Sequence, residues 1–171
     1  MTLKGGGILE GDFVVAGIGA RPRVDLAVKA GIAVDRGTVV NSRLETSVKG
    51  VFAAGDIARW PDPHSGDSVR VDHWIVAERQ GQTAALNMMG HREKFAAVPF
   101  FWSQHYEVPI NYVGHAEHWD QIAIEGDIAG KDCVLRFKRD ERTLAIASIF
   151  RDHESLQAEL SMERELASRE V

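Results

Sequence analysis

GVFAAGDIA, residues 50–58, sets two alanines, a glycine and an acid directly behind a short apolar run. A buried strand that ends this way leaves its backbone open to close approach, because Ala53, Ala54 and Gly55 carry too little side chain to fill the space. Asp56 at that mouth is an acceptor suited to the hydroxyls of a sugar or ribityl chain. The bare Ala-Gly-Asp tripeptide also makes an ordinary turn after a strand, so its neighbours must decide between the two.

Upstream, DFVVAGI (12–18) is a continuous apolar run bounded by Gly11 and Gly19, which predicts a strand buried on both faces. ARPRVDLAVKAG (20–31) has Pro22 near a helix start, Leu26 and Ala30 at helical spacing, and Gly31 at the stop. GTVVNS (37–42) and GVFAAGD (50–56) predict two further short strands, the first led by a turn at Asp35-Arg36-Gly37. Downstream, RWPDPHSGD (59–67) holds two prolines and a glycine, which predicts irregular backbone at the surface. The spacing then predicts a helix over 73–89 with Trp74, Ala77, Gly81, Ala84, Ala85 and Met88 on one side, a mostly small face suited to tight packing.

Composition changes near residue 95, where KFAAVPFFWSQHYEVPINYVGHAEHW (94–119) brings in most of the aromatic residues. A domain boundary placed there divides the chain into 1–95 and 96–171. Beyond it INYVGHA, IAIEGD, DCVLRFKRD and TLAIASIF predict four strands, the last two joined through Asp140-Glu141-Arg142 as an antiparallel hairpin. Residues 153–168 predict a closing helix carrying Leu156, Leu160 and Leu166, with Asp152 as its N-cap. The fold class is therefore α/β followed by α+β.

At 171 residues and 44% hydrophobic content the chain can bury a substantial core. A net charge of -5, with 20 basic residues spread along the chain, argues against nucleic-acid or anionic-membrane binding. Its longest apolar runs are far too short to span a bilayer. No secretory signal pattern opens the sequence, and the single Cys133 excludes an internal disulfide and suits a reducing compartment, so a cytoplasmic location is expected. Cys133 alternates with strand neighbours and reads as a buried small hydrophobe. His115 and His118 around Glu117 lack the further ligands a metal site needs. GGGILEG (5–11) precedes the first apolar run and opens no helix, so it reads as an N-terminal turn and not as a phosphate loop.

Taken in order, the motifs resemble those of a known family. TSVKGVFAAGDIA (46–58) is similar to the second FAD-binding fingerprint of two-dinucleotide flavoprotein reductases. DFVVAGIGARP (12–22) is similar to the segment by which the chain of such enzymes returns from the NAD(P)H domain to the FAD domain. VRVDHWIVAERQGQTAALNM (69–88), VPFFWSQHYEVPINYVG (98–114) and LAIASIFRDHESLQAELSMERE (144–165) resemble the ferredoxin-reductase and apoptosis-inducing-factor-like branch. The resemblance implies the second half of an FAD domain followed by a small C-terminal domain with an antiparallel sheet and a closing helix.

It further implies FAD as cofactor, with Gly55 and Asp56 at the ribityl chain. The resemblance places Trp74 near the flavin and the nicotinamide path, and an ordinary packing role is its alternative. His73 is a further donor at the start of the same helix, whose dipole would stabilise a negative ring edge. Trp102 falls on the aromatic motif near the flavin, although Gln104-His105 stands where the family has Asp-Gln. No residue is assigned a catalytic role. In the complete enzyme NAD(P)H would be co-substrate, and a ferredoxin-like or Rieske-type iron–sulfur protein the electron acceptor. The Gly-rich dinucleotide fingerprints are absent from these residues. The chain therefore looks like the C-terminal part of a reductase, needing a missing N-terminal half or a second subunit and inactive alone. A non-catalytic interaction module, including a homodimer through the aromatic-rich segment, is the competing reading.

Overall fold

Five antiparallel strands organise the second part of the protein in the computed structural model, which describes residues 1–169. They are β4 (Phe100–His105), β5 (Val108–Gly114), β6 (Gln121–Asp127), β7 (Asp132–Arg139) and β8 (Arg142–Ile149), numbered after three shorter strands upstream. Their order across the sheet is β4-β5-β8-β7-β6. Four fall on the predicted runs. The fifth, β4, lies in FFWSQH, which has no alternation to announce it and forms because its whole length pairs with β5. The β7–β8 hairpin closes on Asp140 and Glu141 alone, both at positive φ (49° and 62°), with Arg139 opposite Arg142. Two left-handed residues give the turn twist that matches paired strands.

One face of this sheet is covered by α3 (Asp152–Arg169). Val98, Val113, Val134, Ile146 and Met162 form the core between them, and Ser148 and Ser155 share a buried hydroxyl hydrogen bond of 2.7 Å. The predicted leucine face is not the one that packs: Leu156 and Leu160 are exposed, while Ser155 and Met162 are buried. Asp152 is inside the first helical turn and not the N-cap, and its carboxylate accepts from the Asn111 amide at 2.7 Å. Cys133 is fully buried in β7.

In the first part, β1 (Thr38–Val39) runs parallel to β2 (Ala58–Pro61), which pairs antiparallel with β3 (Ser68–Val69). Against them lies α2 (Trp74–Met88), enclosing Val40, Leu44, Ala53, Trp60, Val69, Val76 and Phe95. RWPDPHSGD is neither irregular throughout nor superficial: it begins in β2, and Trp60, Asp62, His64 and Ser65 are buried. Trp60 meets the Phe95 ring edge-on at 5.6 Å. The Asp62 carboxylate satisfies the His64 and Ser65 N–H groups, so these two backbone donors are buried with partners. GVFAAGD is likewise not a continuous strand, since Phe52 makes a single bridge with Glu45 and Gly55–Ile57 is a 3-10 turn.

The first apolar run departs furthest from expectation. DFVVAGI forms no strand, and its side chains stand in solvent, with Phe13 82% and Ile18 93% exposed. No strand among the described residues is placed to pair with it, and an apolar run without a neighbour has nothing to be buried against. The short helix α1 (Asp25–Lys29) forms where Pro22 and Gly31 bracket it, yet buries no residue. No helix among the described residues is long and apolar enough to cross a membrane.

Candidate functional site

The site begins at Gly55. Its φ of +77° is one that side-chain-bearing residues avoid, and a Cβ there would come within 3.3 Å of the Ala77 Cβ on α2. Glycine thus lets the 3-10 turn settle on the helix. The Gly55 N–H donates to Gln80 Oε1 at 2.7 Å, and the Gly55 carbonyl accepts from the Ala58 N–H. The next carbonyl, that of Asp56, accepts from Arg70 Nη1 at 2.9 Å, and Arg70 is itself paired with the Asp72 carboxylate. With its backbone held in this way, Asp56 presents an exposed side chain at the mouth of the turn.

Beside it stands the N-terminus of α2. His73 is the N-cap, extended in backbone, with Nδ1 accepting from the Ile75 N–H at 3.4 Å. A neutral imidazole that accepts through Nδ1 carries its proton on Nε2, so the ring has a donor to offer outward. Burial pushes the His73 pKa below its ordinary value, and the Asp56 charge opposes that shift. The first N–H groups of α2 have no partner within the helix and add a partial positive charge at the same place.

Aromatic rings wall the other side. The His73 ring lies 5.5 Å from Phe101 and 5.8 Å from Trp102, centroid to centroid. Trp74 and Trp102 meet edge to face at 5.8 Å. At 60% and 44% exposure these tryptophans are not core-packing residues. The fold thus gathers His73, Trp74 and Trp102 in one aromatic patch, with the Asp56 charge close enough to act on His73 and Gly55 buried in the adjoining turn. Gln104 is not part of this group, since its amide donates to the Tyr106 carbonyl at the β4–β5 turn.

Sequence reasoning missed Gln80, Arg70 and Phe101. Of the expected inward face of α2, Ala84 is buried and Ala77 half-buried, but the rest is turned outward. Buried on α2 are Val76, Gln80, Ala84 and Asn87, whereas Gly81, Ala85 and Met88 are exposed. Two of the inward residues are amides with work on the backbone: Asn87 binds the carbonyls of Arg43 and Glu93 and the N–H of Glu93. A reading by hydrophobicity sends such residues outward, although the 76-80-84-87 spacing was available as a signal. Elsewhere, His115 lies 3.9 Å from Glu117, and burial holds its pKa down. Among the described residues no cluster of His, Cys, Asp or Glu is arranged to hold a metal ion.

Residues 1–81 match the family described as pyridine nucleotide-disulphide oxidoreductase, and residues 100–170 match that described as reductase C-terminal. Putidaredoxin reductase of Pseudomonas putida is 34% identical over 150 residues, covering 88% of this chain and 36% of that protein. Apoptosis-inducing factor 3 of Mus musculus is 34% identical over 152 residues, covering 87% of this chain and 25% of that protein. Among solved structures, the covalent putidaredoxin reductase–putidaredoxin complex superimposes with a TM-score of 0.86 at 32% identity, over 94% of this chain and 39% of that one. The chain thus spans between a quarter and about two fifths of the length of these proteins. Matched over both of its parts, the chain belongs to the pyridine nucleotide-disulphide oxidoreductases, in the branch of the ferredoxin reductases and apoptosis-inducing-factor-like proteins.

Proposed function

We propose that this chain is the flavin-holding C-terminal portion of a ferredoxin-reductase-type enzyme. In the whole enzyme, electrons from NAD(P)H would pass through FAD to a ferredoxin-like or Rieske-type iron–sulfur protein. The observation that carries this is the clustering of an exposed Asp56 carboxylate, a donor-bearing helix start and two exposed tryptophans in one patch. The donor set fits a flavin, which has a polyhydroxyl chain needing an acceptor and a ring edge that gains negative charge on reduction. Gly55 allows close approach, and Asp56 accepts from the ribityl hydroxyls. The α2 N–H groups and His73 Nε2–H would donate to the ring edge, while Trp74 and Trp102 would shield the ring from water. The redox chemistry, a hydride taken up from NAD(P)H and electrons released one at a time, would be supplied by FAD bound there.

The boundary between the flavin-holding part and the C-terminal part is placed at 95/96. Exposed Phe13–Ile18 supports completion of the first part by further polypeptide, either an N-terminal half or a second subunit, and the chain alone is expected not to oxidise NAD(P)H. A homodimer through the aromatic-rich segment, where Trp102 is exposed, is the other reading. The test is a visible spectrum of the purified protein after incubation with FAD and desalting. Retained bands near ~370 and ~450 nm are expected of a held flavin. Asp56→Ala should weaken FAD binding about ten- to hundred-fold, the scale of a lost hydrogen bond to a charged group. Equal FAD affinity in the two proteins would remove Asp56 from the site.

A further inference from the structure

We infer that Gln80 is a positioning residue: its amide fastens Gly55 to α2 and so sets where the Asp56 carboxylate points. The inference that this orientation serves a flavin rests on the function proposed above; the fastening itself does not.

Gln80 is 0% exposed, and its Oε1 accepts from the Gly55 N–H at 2.7 Å across 25 residues of chain. Only the amide oxygen can accept from an N–H, so this bond fixes which way round the side chain lies. Nε2 is then left buried with no hydrogen-bond partner. A methionine in this place would fill a similar volume with no orphaned donor, but would leave the Gly55 N–H unpaired in the interior. The oxygen is therefore the part of the side chain that the fold uses.

What it holds is the residue before Asp56. The Gly55 carbonyl is taken by Ala58 and the Asp56 carbonyl by Arg70. Gln80 supplies the remaining anchor, on the helix side, where a Cβ on Gly55 would come within 3.3 Å of the Ala77 Cβ. Releasing it frees the turn to swing about the Arg70 contact and carries the carboxylate away from His73.

The experiment compares the full chain with Gln80→Met and Gln80→Glu by amide hydrogen exchange in NMR. In Gln80→Met, Gly55 should exchange at least about ten-fold faster while Ile146 in β8 is unchanged, and Gln80→Glu, which keeps an acceptor oxygen, should restore protection to within about three-fold. The His73 titration should also move downward in Gln80→Met, because the Asp56 charge that raises it has moved. Unchanged Gly55 exchange, or acceleration shared equally by Ile146, would overturn the assignment. Should Gln80→Met not fold, the unmodified protein decides: a scalar coupling across the hydrogen bond between the Gly55 nitrogen and the Gln80 side-chain carbonyl carbon is expected, and its absence is fatal. FAD titration of the unmodified chain is a separate arm, whose failure removes the flavin reading and leaves the amide results to stand for Gln80.

Discussion

His73 caps α2 through the ring nitrogen that protonation would take away. Its pKa in the folded protein lies below the ordinary 6.5, chiefly because burial disfavours the cation, with Asp56 pulling the other way. A base depressed on folding stabilises the fold while neutral. Its contribution is complete above about pH 6.5 and is lost as the pH falls through the depressed folded value. Protection of the Ile75 amide, corrected for intrinsic exchange, should therefore hold above about pH 6.5 and decline as the pH falls further below it, and His73→Ala should flatten that decline. A pH-independent Ile75 would show that the cap does not depend on Nδ1. At this scale Gly55 and Asp56 can be read from one short stretch, because their chemistry is local. Gln80 and Arg70 cannot, since each takes its meaning from a backbone group 25 or 14 residues away.

The elements show where pattern suffices and where it does not. β7 and β8 are legible because the hairpin is contiguous in sequence and its turn residues stand at its tip. Gly114, at the end of β5, is a sterner requirement than any turn. Its φ is +79°, and an added Cβ would lie 2.3 Å from the Leu144 carbonyl oxygen on the neighbouring strand. The other atoms it would meet, Ala145 Cα at 3.0 Å and Leu144 C at 3.2 Å, are also backbone, which cannot yield as a flexible side chain would. Gly114→Ala should cost about 2–4 kcal/mol and lower the melting temperature by roughly 5–15 °C. Calorimetry showing a loss under about 2 °C would mean that β5 and β8 can separate there. RWPDPHSGD misleads for the opposite reason: its prolines and glycine do mark turns, but Asp62 satisfies the loop internally and Trp60 draws its start into the core.

Across the whole molecule, the two parts are tied by charge. Arg139 on β7 donates to Asp67 Oδ2 at 2.8 Å and to the Ser65 carbonyl at 2.6 Å, and Arg79 on α2 reaches Glu159 on α3 at 3.3 Å. The apolar run at Phe13–Ile18, by contrast, is tied to nothing. Replacing Phe13 and Val15 together by serine should leave the melting temperature within about 2 °C, as for surface substitutions, and should reduce self-association in sedimentation velocity. A fall of more than about 5 °C would show the run to be buried in solution. Periodicity, turn residues and one ordered set of motifs were enough for the fold class and four of the five sheet strands, and they single out Gly55, Asp56, His73, Trp74 and Trp102, which the fold brings near one another. Those features are local, or recur at spacings that a single strand or helix dictates. Which face of α2 and α3 turns inward, the burial of the Asp62 loop, the pairing of β4 and the anchoring by Gln80 were settled only in three dimensions. There, buried backbone groups need partners from distant chain, and an apolar run is buried only if another element is present to cover it.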